Sequence, residues 1–228
     1  MKSDVTLSIE GATYQGSVAV IRGSAVVAER TLSGDDGGLP RSGRGEMLMP
    51  AVAECLNEAG VTGKDVSRVV CGAGPGSFTS LRVAGSIAKG LASGYGVELF
   101  AVSSLMLTVA ARVDLAPGRY LSLLDAMRGE FFAQRVEVVE NGGVRPVGAA
   151  GIVPAADVQS VMEAESDIHL IGPSQPIAAL PHARGVAWLL DDILAAGPVD
   201  IASWEPDYGR LAEAQVRWEA EHGRPLAP

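Results

Sequence analysis

Short apolar blocks broken by turn residues fill the start of the chain. Val5–Ile9, Ser17–Ile21 and Ala25–Thr31 read as three short strands. Gly11 and Gly16 sit in the first gap and Arg22-Gly23-Ser24 in the second, so the three form an antiparallel meander. Residues 33–45 are rich in Gly, Ser and Asp and read as a loop. The spacing then lengthens to a helical period over Glu46–Ala59, with Met47, Leu48, Val52, Cys55, Leu56 and Ala59 on one face. Pro50 starts or kinks this helix near Met49, and Gly60 closes it. Arg68–Gly72 is a β-branched strand. A glycine-rich turn follows, and Ser77 is placed to cap a helix that runs to about Ser93 and stops at Gly94. Val97–Val102 is a strand, and Ser103 or Ser104 caps a helix to about Val113.

The later half is less sharply patterned. Tyr120–Leu124 and Phe131–Val139 read as strands about the turn Met127-Arg128-Gly129. Residues 142–157 carry several glycines and prolines and read as a loosened stretch. Ile168–Ile171 is a short strand, Val186–Ala195 a helix, and Tyr208–Glu221 a charged amphipathic helix. Three antiparallel strands followed by helix, strand, helix is the order of a ribonuclease-H-like half. Two such halves, dividing near Ser103 into 1–103 and 104–228, make an α/β actin-like ATPase (ASKHA) architecture with the second half reduced.

Composition narrows the function. The 228 residues are 47% hydrophobic and 20% charged, ordinary for a folded chain. No apolar run is long enough to cross a bilayer and no signal peptide opens the chain, so a cytoplasmic location with no membrane contact is expected. The 18 Lys and Arg against 27 Asp and Glu give a net charge of −9. That balance disfavours direct, tight nucleic-acid binding. Arg41, Arg44 and Arg82 are the basic residues placed to add a weak contact. Cys55 and Cys71 sit in helical and strand patterns and read as buried small hydrophobes rather than a disulfide or metal pair. His169, His182 and His222 share no ligand spacing, so no metal is expected.

The segment CGAGPGSFTSLRVAGSIAKGLASG, Cys71 to Gly94, carries the main question. Ser77-Phe78 stands where a P-loop needs Lys and Ser or Thr. Gly72, Gly74 and Gly76 lack the dinucleotide spacing, and Ser77 lacks the frame of a nucleophile elbow. What remains is a helix start that either holds an anion weakly or satisfies its own N–H groups in a tight turn. Ala84, Ala88 and Ala92 form one small-residue stripe, and Ser86, Gly90 and Gly94 another. Such faces pack closely on the chain's own sheet or on a second chain. Asp125, Arg128 and Glu130 make a charged turn, read either as a solvated hairpin tip or as a partner contact.

GPGSFTSLRVAGSIAKGLA, Gly74 to Ala92, resembles the signature segment of the TsaB (YeaZ) family. SSLMLTVAA, LLDAMRGEFF and PDYGRLAEAQVRW resemble further family segments, so the likeness spans most of the chain. It implies an actin-like fold and a scaffold role in making threonylcarbamoyladenosine next to the tRNA anticodon. It also implies a catalytic partner, TsaD, of which this family is a degenerate paralogue, and an ATPase partner, TsaE. A homodimer is expected in isolation, with tRNA met only through the complex. The resemblance places a partner interface on Met47, Leu48, Val52, Arg82, Ala84, Gly85 and Ala88. No catalytic residue and no cofactor are expected, and Glu10, Gly76 and Ser77 are the anion or nucleotide candidates. The chain departs from the family pattern at Glu10-Gly11-Ala12, at Gly43-Arg44-Gly45, and at Ser80, and it lacks a His-x-x-x-His pair. The alternatives are a stand-alone actin-like kinase or ATPase using Ser77 and Glu10, or a peptidase.

Overall fold

The computed structural model describes residues 4–32, 47–140, 142–210 and 221–223. The expected loop over 33–45, with Arg41 and Arg44, lies outside them, as do Glu46 and the body of the expected C-terminal helix. The opening meander is present as β1 (Val5–Glu10), β2 (Ser17–Arg22) and β3 (Ala25–Thr31), paired antiparallel in sequence order. After α1 (Leu48–Glu58), β4 (Val66–Gly72) pairs parallel to β1. After α2 (Phe78–Tyr95), β5 (Glu98–Val102) pairs parallel to β4. The order is β3-β2-β1-β4-β5, with β1 in the centre and buried on both faces.

The chain then repeats this plan. Following α3 (Ser104–Ala110) come β6 (Gly118–Asp125), β7 (Glu130–Val138) and β8 (Val144–Pro154), all antiparallel neighbours. After α4 (Val158–Ala164), β9 (Ile168–Gly172) runs parallel to β6. The two-residue β10 (Ile177–Ala178) runs parallel to β9, and α5 (Val186–Ala196) follows. The order β8-β7-β6-β9-β10 mirrors the first sheet strand for strand. The second half is reduced in its short α4 and β10. It is not loose over 142–157, because that stretch forms the eleven-residue edge strand β8 and leads into α4. Nearly every residue of β8 is exposed, so no apolar alternation marks it. Its register comes from β7.

Period and chemistry explain the elements nearest the site. Leu48, Ala51, Val52, Cys55 and Leu56 put one stripe of α1 into the core. Pro50 lies in the first turn, where its missing N–H has no intrahelical acceptor to lose. The helix α2 passes through Gly94 and ends two residues later than its sequence implies. Gly96, at φ +65°, adopts the left-handed conformation that closes it. Alternate residues of β1 divide the molecule. Val5, Leu7 and Ile9 enter the core beneath α1 and α2. Thr6, Ser8 and Glu10 look the other way, toward a core that Ala19, Ile21 and Val70 share with Leu107, Tyr120, Val136 and Val186.

Candidate functional site

The first loop, the glycine-rich turn and the start of α3 meet where the two sheets face each other. Glu10, at the end of β1, is only 1% exposed. One carboxylate oxygen accepts from the Ala12 N–H, and the other accepts from the Ser104 hydroxyl at 2.9 Å. Burial pushes its pKa up to about 7 against the opposing pull of the Ala12 N–H, the Ser104 hydroxyl and the Gly11 N–H. Ser104 ties in the turn as well: its hydroxyl accepts from the Gly74 N–H at 3.1 Å, and its own N–H donates to the Gly74 carbonyl at 2.8 Å. Cys71 lies beside Glu10, and its thiol is pushed far up by burial and then by that carboxyl.

The glycines of the turn are required by the chain itself. A Cβ on Gly72 would collide with the Glu10 carboxylate, one on Gly76 with the Ala12 carbonyl, and one on Gly74 with the Asp207 carbonyl. Gly74 also sits at φ +92°, where a side chain is strained. Three oxygens from two distant segments, the loop after β1 and the stretch around Asp207, therefore cover the turn. Three of its N–H groups bond within the chain: Ala73 donates to Val102 at 2.7 Å, Gly74 to Ser104, and Ser77 to the Ala12 carbonyl at 2.7 Å.

Ser77 occupies the N-cap position of α2, but its side chain makes no cap bond. Its hydroxyl accepts from Ser80 at 3.1 Å instead. The histidines expected to be scattered stay apart from it. His169 stacks on Tyr120 at 5.5 Å, and His182 holds Thr31 at 2.8 Å. His182 is 6% exposed, and burial first, then Arg184, lowers its pKa to about 4. Its Nδ1 accepts from the Arg184 N–H, which leaves Nε2 to donate to the Thr31 hydroxyl.

The seven interface residues divide into two groups. Leu48, Val52, Ala84 and Ala88 are buried in the chain's own first core, and Gly85 lies beneath Pro206 and Trp204. These five have no side-chain surface to offer a second chain. Met47 and Arg82 stand outside, as does Met49, which is 44% exposed. Arg82 lies 4.3 Å over the ring of Phe78, itself 41% exposed, and Phe78 packs on Tyr208 at 4.5 Å. Sequence reasoning missed Ser104, Asp207, Tyr208 and Arg210 as parts of this region. The one signal for the last three was the stretch Pro206–Arg210, whose Tyr208 reads as the start of a helix, whereas Tyr208 and Arg210 lie in an irregular segment; Ser104 was read only as a helix cap. The hairpin Asp125–Glu130 is anchored at its base, where Arg210 pairs with Glu130 and Asp125 accepts from the Met127 N–H at 2.7 Å.

Two five-stranded sheets of one strand order with flanking helices define the actin-like class. The YeaZ structure from Pseudomonas aeruginosa superposes with a TM-score of 0.74 over 90% of this chain and 99% of that one, at 24% identity. The family described as "TsaD: tRNA N6-adenosine threonylcarbamoyltransferase" matches residues 42–162. The chain is 27% identical to the tRNA threonylcarbamoyladenosine biosynthesis protein TsaB of Bacillus subtilis, over 93% of this chain and 96% of that protein. It is 34% identical to the Escherichia coli protein of the same name, over 60% of this chain and 56% of that one. The chain belongs to this family, on its TsaB (YeaZ) branch.

Proposed function

We propose that the chain is a non-catalytic subunit in tRNA threonylcarbamoyladenosine biosynthesis, pairing with a TsaD-like catalytic subunit and joined by a TsaE-like ATPase. The observation that carries this reading is the self-filled turn. Glu10, Ala12 and Asp207 put their own oxygens against the glycines of the turn, where a nucleotide-binding turn would leave room for a ligand. The branch relatives supply the pathway by name. In this reading the halves 1–103 and 104–228 form a rigid body rather than a nucleotide-driven hinge. The pairing face is the outer side of α1, with Met47, Met49 and Ala53, and of α2, with Arg82, Ser86 and Gly90, all exposed. The methionines suit such a surface because they adapt their shape to an opposing helix. In isolation a second copy takes the partner's place. The net charge of −9 leaves tRNA to be held mainly by the partners. Among the described residues no helix is long and apolar enough to cross a membrane.

The test mixes the purified chain with a TsaD-like subunit and follows both co-elution and threonylcarbamoyl transfer to tRNA. Transfer is expected only with both present, and none from this chain alone. Robust ATP turnover or transfer by the pure chain, abolished by Glu10→Ala or Ser77→Ala, would sink the reading.

A further inference from the structure

The segment 197–210 has almost no regular structure, yet both sheets engage it in turn. It leaves α5 in the second half and crosses to the open edge of β5, where the Val199 N–H donates to the Leu99 carbonyl at 2.8 Å. Asp200 then folds a turn, accepting from the Ser203 hydroxyl at 2.6 Å and the Trp204 N–H at 2.8 Å. That turn lays Trp204 and Pro206 over Gly85 on α2, with Lys89 5.9 Å from the indole. The Asp207 N–H donates to the Ala73 carbonyl at 2.7 Å, and its carbonyl lies on Gly74. Tyr208 packs on Phe78 and joins a cluster of Ala12, Leu81, Leu105, Leu124, Ala126 and Phe132, which come from both halves. Gly209 then rests on the Phe132 ring, and Arg210 pairs with Glu130 on β7.

We infer that residues 199–210 are a clasp that fixes the angle between the two halves. The segment is bound to the first half at Leu99, Gly85, Ala73 and Phe78, and to the second at Phe132 and Glu130. Any rotation that parts the two sets of anchors must stretch the chain between them. Only two residues separate Asp207, held by Ala73, from Arg210, held by Glu130, so the strap has little length to give. Each anchor is modest alone, but they act in series along a short segment, so opening has to break several together. The clasp also accounts for Gly85, since a side chain there would press on Pro206. This inference does not depend on any partner.

The test uses the full chain with spin labels at Lys64→Cys and Ser160→Cys, exposed positions in opposite halves; the native Cys55 and Cys71 are buried. Two independent releases are compared. Tyr208→Ala with Arg210→Ala removes the stack and the ion pair at the far end. Gly85→Leu pushes Pro206 away while adding helix propensity to α2, so any loosening comes from the strap rather than a weakened helix. Release is read directly as exchange of the Asp207 amide, expected to speed by roughly tenfold or more when its anchors are lost. The expected result is a narrow label-to-label distance distribution in the parent that broadens in both variants, with α1 and β2 amides still protected. A freed Asp207 amide with an unbroadened distribution overturns the clasp. An Asp207 amide that stays protected in both variants overturns it too, because the anchors named would not be what holds the segment.

Discussion

Replacing Glu10 by Gln should turn a nearly level pH profile of stability into a steep one. Two buried groups titrate in overlapping windows with opposite signs. Glu10 has its pKa raised from 4.5 to about 7, chiefly by burial. A carboxyl that holds its proton more tightly when folded stabilises the fold at low pH. Its contribution is complete below 4.5 and is lost as the pH rises through 7. His182 has its pKa lowered from 6.5 to about 4, again chiefly by burial. An imidazole that sheds its proton more readily when folded stabilises the fold at higher pH. Its contribution is complete above 6.5 and is lost as the pH falls through 4. At about 1.4 kcal/mol per pK unit, each effect amounts to about 3 kcal/mol. Between pH 4.5 and 6.5 they oppose and nearly cancel.

Each group can be made non-titrating with a backbone contact kept; at position 182 the Thr31 contact is lost, a cost that does not vary with pH. Gln at position 10 retains an oxygen for the Ala12 N–H and an amide toward the Ser104 hydroxyl. Asn at position 182 retains an acceptor for the Arg184 N–H, the role Nδ1 now fills. Glu10 faces Cys71, and His182 faces Glu29 and Arg184. None of these is altered by either change. Urea unfolding at fixed ionic strength, from pH 4 to 7.5, gives the profiles. Subtracting the parent curve removes the many surface carboxylates common to all three proteins. Relative to the parent, the stability of Glu10→Gln should rise by about 3 kcal/mol from pH 4.5 to 7. Relative to the parent, that of His182→Asn should fall by about 3 kcal/mol from pH 4 to 6.5. Curves that run parallel to the parent in both variants would refute the reasoning, because neither group would then be perturbed by folding.

Three further outcomes follow from single contacts. Gly74→Ala combines a strained φ of +92° with a collision on the Asp207 carbonyl, and should cost about 3 kcal/mol or more by chemical unfolding. Met127 sits at φ 63° with its side chain 68% exposed, so Met127→Asn should relieve strain, add about 1 kcal/mol, and raise Tm by roughly 2–4 °C in a calorimetric scan. Met49→Asp, on the exposed start of α1, should weaken pairing by roughly tenfold or more in sedimentation, while a surface change of this kind shifts stability by only about 0.5 kcal/mol.

Where a segment's own residues decide its state, the sequence is legible. The first three strands are apolar or β-branched runs closed by glycine turns, and they fall within a residue of their expected ends. The stripe of α1 is read from spacing alone because only one face is buried. The repeat of the strand order is visible as two similar successions of elements. Where pairing decides, the sequence is silent. The strand β8, VRPVGAAGIVP, has two prolines, two glycines and solvent on both faces, and it is a strand because β7 presents free carbonyls and N–H groups to it. The end of α2 turns on which of two glycines adopts φ +65°, and Gly94 and Gly96 look alike in the chain.

The glycine-rich segment shows why the site is harder to read than the fold. A glycine marks a place that something approaches closely, or a backbone angle that side chains avoid. Its spacing reports the local chain, whereas the thing that approaches comes from elsewhere. Here the approaching groups are Glu10, Ala12, Asp207 and Pro206, drawn from the two ends of the sequence. A phosphate approaching a glycine turn at a helix start also requires small residues there. The two cases part only at the residues that fill the space. Glu10 is visible as an acid where the family pattern has Asp, but no spacing rule says that its longer side chain folds back over Gly72 and takes the Ser104 hydroxyl. Which atoms occupy the turn depends on contacts between residues as far apart in sequence as Glu10 and Ser104, or Gly74 and Asp207.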